Sequence, residues 1–208
     1  SVTKVGVVAS NNTNGLILAN SALLDMLTIT PTPIDGTTQS GIISWAFDSN
    51  GEAFNYLASG ETLTLTYTIK ATDDDSSLSS DTQTVVITIV GTNETPVITV
   101  EAIDSDNKTL SETDTTLTTS GTLSVKDLDK TDVITTSFTV ASTQKDASNN
   151  VMSRDSNEPS NSILASMLTI TQTPIDGTTQ SGIISWAFNS GSEAFNYLAS
   201  GETLTLTY

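Results

Sequence analysis

Carboxylates are the side chains with which this sequence could do chemistry. Asp and Glu number 24 against 7 Lys and Arg, a net charge of −17, and the chain has no His and no Cys. That set excludes disulfides, Cys/His zinc sites, His-based triads and thiol catalysis. It also argues against nucleic acid, because phosphate binding needs a basic face. What acidic loops can hold is a hard cation. Calcium takes six to eight oxygens from carboxylates, carbonyls, Asn and water in flexible geometry. The run Asp127-Leu128-Asp129-Lys130-Thr131-Asp132 offers such oxygens at short spacing, as does Asp73-Asp74-Asp75. Carboxylates two residues apart on an irregular loop can turn toward one ion, and without it they repel each other. The competing reading is that these residues make turns and solvate loops, as Asp commonly does.

The elements that must position these loops are written in copies. Met26–Tyr67 returns almost letter for letter as Met167–Tyr208. Only Pro31/Gln172, Asp48/Asn189, Asn50/Gly191 and Gly51/Ser192 differ between the two. A repeat this long is a domain rather than a solenoid turn. The sequence therefore reads as a window on a tandem array, with both repeats truncated by the window.

Hydrophobic periodicity is that of strands. Leu63, Leu65, Tyr67 and Ile69 alternate with Thr, and Ile43, Trp45 and Phe47 share one face. Thr84–Val90 is rich in β-branched residues. Val2–Val8, Met26–Thr30, Val97–Val100, Thr116–Val125 and Val133–Val140 also read as strands. Leu16–Asp25 predicts a helix of one or two turns, and Asn11–Gly15, Asp35-Gly36 and Asp104–Asn107 predict turns. Asp73–Ser80 and Ser142–Asn161 read as polar loops. Short strands, frequent turns and little helix predict an all-β chain of antiparallel β-sandwiches. The break Gly91–Pro96 (GTNETP) places one domain at 1–95 and the next at 96–208. The strands absent from one unit are present in the other, so each predicts an open edge.

Val86–Val97 (VITIVGTNETPV), after YTIKATDDD, resembles the end of a VCBS repeat, whose text runs close to TVTITITGTNDAPV. Gly121–Asp132 (GTLSVKDLDKTD) resembles the start of the next repeat, close to GTLSVSDVDTGD, and Ala53–Tyr67 resembles its middle. The likeness spans nearly the whole chain. It implies a very large secreted bacterial adhesin of the RTX type, exported by type I secretion and acting at the cell surface in adhesion and biofilms.

A wider likeness is to cadherin domains. Leu110-Ser111-Glu112 is similar to their Pro-Glu, Asp127-Leu128-Asp129 to their Asp-x-Asp, and Ala71-Thr72-Asp73 to their Ala-x-Asp. Thr92–Pro96 sits at the place of their Asp-x-Asn-Asp-Asn-x-Pro linker, with Glu94 where Asp is usual. Glu61 lies near the place of their Leu-Asp-Arg-Glu, but Ala58 and Ser59 stand where its acid would be. The resemblance implies calcium held by Glu61, Asn93, Glu94, Asp127, Asp129 and Asp132, with Asp73 serving the preceding junction and Glu112 the following one. The departures imply one calcium or none in place of the cadherins' full junction.

The expected function is thus a non-enzymatic structural segment of an extracellular adhesin, with calcium as its only cofactor. Its expected partners are neighbouring repeats or identical chains, with no nucleic acid and no membrane insertion in this segment. One alternative is a filament segment completed by strand donation between chains. Another is a carbohydrate-binding module using Trp45, Phe47, Phe54 and Tyr56, with their copies Trp186, Phe188, Phe195 and Tyr197, on surface glycans. The strand alternation of these aromatics favours a core instead. No carboxylate pair is set for acid–base work, and no glycine-rich phosphate loop or activated nucleophile is present.

Overall fold

The computed structural model describes residues 1–11, 16–74 and 77–208. The chain is all-β, with antiparallel sheets and, among the described residues, two short helices. It divides into two compact units, Ser1–Glu94 with Leu128–Lys130, and Thr95–Asp127 with Thr131–Tyr208. The turn expected at Asn11–Gly15 and the loop Asp73–Ser80 lie partly outside the described residues.

The first unit is built on β4 (Thr62–Thr72), the strand with the strictest alternation. Its Thr residues face outward, while Leu63, Leu65, Tyr67 and Ile69 are buried. Strand geometry sends successive side chains to opposite faces, so the sequence alternation becomes a core face. Each such buried large side chain contributes about 1.5–3 kcal/mol of burial free energy. β1 (Val2–Ala9) pairs with one edge of β4 and β5 (Ser80–Val90) with the other, placing Tyr67 between Val5 and Val85. Across the core lies the ribbon β2 (Leu27–Ile29) and β3 (Trp45–Phe47). It brings Leu27 and Phe47 to the Leu63–Tyr67 cluster, Phe47 meeting Tyr67 edge-on at 6.4 Å. The helix α1 (Asn20–Asp25) precedes β2. Tyr67 donates its hydroxyl proton to the Leu23 carbonyl at 2.9 Å, supplying a partner to a helix-end carbonyl.

The second unit holds β6 (Val97–Thr99), β7 (Thr118–Lys126), β8 (Val133–Ile134), β9 (Ala141–Lys145), α2 (Asn161–Ser166), β10 (Leu168–Ile170), β11 (Ile175–Asp176), β12 (Ser181–Asn189) and β13 (Thr203–Thr207). Its largest sheet runs β10-β12-β7-β6, beside the pairs β11-β8 and β13-β9. The copied text makes the same local bonds here. Tyr208 donates to the Leu164 carbonyl at 2.8 Å, as Tyr67 does to Leu23. Asp176 accepts from the Thr178 hydroxyl at 2.6 Å, as Asp35 does from Thr37 at 2.6 Å. Phe54 and Phe195 both hold left-handed backbone, φ 55° and 56°. Such a φ is unusual for a bulky residue. Each amide is fixed by a carboxylate two residues back, Glu52 at 3.0 Å and Glu193 at 2.7 Å.

Two strand expectations shift. Val133–Val140 is strand only at Val133–Ile134, and the next strand, Ala141–Lys145, lies largely within the stretch that read as a polar loop. Ala-Ser-Thr-Gln-Lys has no apolar alternation to announce a strand. Pairing with β13 imposes it, through Thr203↔Lys145 to Thr207↔Ala141. Tertiary context overrides local preference there.

Candidate metal centre

The expected ligands fall in both units. Glu61, Asn93, Glu94, Asp73 and Asp129 belong to the first, and Asp127, Asp132 and Glu112 to the second.

In the first unit the structure brings Glu94 and Asp129 together. The tripeptide Leu128–Lys130 docks there, with the Glu94 N–H donating to Asp129 Oδ2 at 2.9 Å and the Lys130 N–H to the Tyr56 carbonyl at 3.3 Å. Asp129 is 0% exposed. Glu94 turns its Oε2 to a buried position where no hydrogen-bond donor reaches it among the described residues. Burying a carboxylate is costly unless it is paired or coordinates a cation. Glu94 and Asp129 therefore offer calcium the right chemistry: a buried Glu94 oxygen without a donor, and a buried Asp129 carboxylate bonded to the Glu94 backbone. The remaining oxygens would come from carbonyls, water and Asn93, since no three acidic side chains converge among the described residues. Tyr56, which accepts Lys130, has its hydroxyl pushed up to about 12 by burial and then by the charge of Glu52, so it stays a neutral phenol.

The other first-unit residues have visible local work. Asn93 is exposed, and its side-chain amide donates to the Glu94 carbonyl at 2.7 Å. Glu61 accepts from the Asn11 side chain at 2.7 Å and from the Ala58 N–H at 3.0 Å. It closes a turn in which Gly60 takes φ 79°. Its copy Glu202 does the same, accepting the Ala199 N–H at 3.1 Å. Asp73 is exposed, and its N–H donates to the Ser79 carbonyl at 2.8 Å.

In the second unit Asp127 is buried, with its N–H on the Gln180 carbonyl at 3.0 Å at the end of β7. Asp132 is half-buried and Glu112 exposed.

Two acids that carry structure were not singled out by their spacing. Asp104 read only as a turn residue. It accepts from Thr122 Oγ1 at 2.6 Å, Ser124 Oγ at 2.8 Å and the Glu101 N–H at 2.9 Å. These bonds, led by Thr122, hold its carboxyl below the usual range. Glu158 is buried against Arg154 at 3.2 Å, an ionic contact outside hydrogen-bond geometry. Arg154 spends hydrogens on Asn161 Oδ1 at 2.6 Å and on the Pro159 carbonyl. The stretch is not helical, so the four-residue spacing of Arg154 and Glu158 carried no signal of their pairing.

Scanned against models of known protein families the chain has no match, and a search of characterised proteins finds no relative. The likeness to VCBS and cadherin domains thus rests on the motifs quoted above.

Proposed function

We propose that this chain is a non-enzymatic structural segment of a large extracellular bacterial adhesin, a run of β-sandwich repeats that extends the protein from the cell surface. The observation that carries the reading is the copied segment. Two stretches with the same text build the same helix-to-strand tether, through Tyr67–Leu23 and Tyr208–Leu164. A sequence kept so uniform serves a repeated mechanical unit better than a single recognition site. Calcium is its proposed cofactor, held in the first unit by Glu94 and Asp129 and stiffening the array. The excess of acid over base favours cation uptake and keeps such a chain soluble.

The test is small-angle scattering and thermal unfolding of the whole chain, with calcium and with chelator. The expected result is a more flexible particle in chelator and a melting temperature that rises with calcium concentration. Superimposable scattering and melting curves would overturn the calcium part. A blank panel of bacterial and host surfaces, tested with the full-length product, would overturn the adhesive part.

A further inference from the structure

The side chain of an asparagine can react with the backbone that follows it, because the two are held together by the chain itself. The next residue's nitrogen attacks Cγ. The reaction needs a nitrogen that no acceptor holds and no side chain crowds. Asn93, Asn149, Asn157 and Asn189 fail both conditions. After Asn93, the Glu94 N–H is held by Asp129 Oδ2 at 2.9 Å. After Asn149, the Asn150 N–H is held by Asp146 Oδ1 at 2.9 Å. After Asn157 and Asn189, the Glu158 and Ser190 N–H groups are held by the Asp155 and Leu117 carbonyls at 3.2 and 3.0 Å. Each of these followers also carries a side chain.

Asn50 meets both conditions. Its follower is Gly51, and no acceptor takes the Gly51 N–H among the described residues. The pair forms the tip of an exposed turn. Asn50 and Gly51 take φ 55° and 85°, and the Glu52 N–H donates across them to the Ser49 carbonyl at 3.1 Å. Asn-Gly suits such a turn because both residues tolerate left-handed backbone. A Cβ added at Gly51 would meet nothing within 4 Å, so the space beside its nitrogen is open. The copy in the second unit shows that a neighbouring segment leaves this tip open. There Thr116 and Leu117 lie beside the equivalent turn, with the Thr116 hydroxyl donating to the Gly191 carbonyl at 2.5 Å and the Leu117 N–H to Ser190 Oγ at 2.9 Å. Gly191 and Ser192 are exposed nonetheless.

We propose that Asn50 is a site of spontaneous covalent modification, deamidation through a succinimide. The Gly51 nitrogen forms a bond to Asn50 Cγ and gives up its proton. The Cγ–Nδ2 bond breaks, and ammonia leaves with that proton. Water then opens the ring at either carbonyl. Opening at Cγ leaves aspartate. Opening at the backbone carbonyl leaves isoaspartate, with the main chain running through the former side chain. Water is consumed and ammonia released, with no oxidant, metal or enzyme in the balance. The backbone bond across the turn must open for the ring to close, and an exposed turn bond opens readily. Either product adds a carboxylate between Asp48 and Glu52, and isoaspartate lengthens the main chain at the turn that leaves β3. The modification rests on this turn alone and on no part of the calcium or adhesive reading.

The experiment incubates the full chain at mildly alkaline pH, cleaves it after aromatic residues and follows the Asp48–Phe54 peptide by mass spectrometry. Asn50 is the sole asparagine in that peptide. The sequence's Asn14-Gly15 lies outside the described residues and falls in a separate peptide. The expected result is the mass change of NH exchanged for O in Asp48–Phe54, with fragment ions showing more isoaspartate than aspartate. It should run at least about tenfold ahead of the same change in Asn189–Phe195, where serine follows the asparagine. Gly51→Ser keeps Asn50 but crowds and stiffens the attacking residue, and should slow the change about tenfold. The proposal is overturned if Asp48–Phe54 keeps its mass or shifts no faster than Asn189–Phe195. It is also overturned if Gly51→Ser reacts at the parental rate, or if aspartate forms without isoaspartate.

Discussion

Gly121 lies flat beneath Trp186, so close that a Cβ at Gly121 would meet the indole at 2.5 Å. The indole is also held at its nitrogen, where Nε1 donates to the Ser105 carbonyl at 2.9 Å. It cannot swing away without leaving that bond. Gly121→Val should therefore destabilise the second unit by about 1–3 kcal/mol, the usual cost of overpacking. Urea denaturation followed by tryptophan fluorescence would measure it. A midpoint equal to that of the parent chain would show that Trp186 moves freely.

The Tyr67–Leu23 bond makes a second expectation. Tyr67 is fully buried, and its hydroxyl meets a helix-end carbonyl inside the core. Tyr67→Phe keeps the ring and removes only the donor. The Leu23 carbonyl keeps the Met26 N–H at 3.3 Å, so the loss should be that of one hydrogen bond, about 0.5–1.5 kcal/mol. Tyr208→Phe makes the equivalent change in the second unit, where the ring also packs against Phe138 at 5.7 Å. Differential scanning calorimetry of both variants would test whether the copied bond has copied weight.

How far these features were legible in the sequence depends on what set them. β4 was readable because its own alternation, Leu63 to Ile69, determines its buried face. The turns at Asp35 and Asp176 were readable because an Asx side chain bonds its own neighbourhood. β9 was not, because its partner β13 imposes its conformation. Asp104 was hidden for a related reason. Its hydrogen bonds reach Thr122 and Ser124 on β7, and nothing in Asp-Ser-Asp-Asn names those partners. For the candidate metal centre, the motifs named Asn93, Glu94 and Asp127–Asp132 as candidates. Which acids meet was a matter of tertiary docking, and Glu94 with Asp129 is the pair that docking brings together.

Asp104 supports a prediction about pH. Its hydrogen bonds favour the ionised form, so its folded pKa is depressed. The unfolded chain, with an ordinary value near 3.9, then binds protons more readily as acid is added. The contribution of Asp104 to stability is present above that pH and is lost as pH falls through the folded value. Relief of the net negative charge acts in the opposite sense, so total stability is a poor readout. The difference between the parent chain and Asp104→Asn is the cleaner one. It should be largest at pH 7 and should close as the pH is lowered below about 4. A difference that stays constant would assign the loss to packing rather than to the charge.

The Glu94–Asp129 pair gives the last expectation. If a calcium ion offsets the burial of these carboxylates, Asp129→Asn and Glu94→Gln should each weaken binding, since calcium affinity follows the number of charged ligands. The two variants should differ in the absence of calcium. Glu94→Gln removes a charge whose Oε2 no donor reaches among the described residues, so it should leave the apo chain as stable as before or more so. Asp129→Asn alters the acceptor that holds the Glu94 N–H, and should loosen the docking of Leu128–Lys130 with or without the ion. Calcium titration by calorimetry, with thermal melts in chelator, separates the two effects. Equal calcium response in parent and both variants would place any bound ion elsewhere.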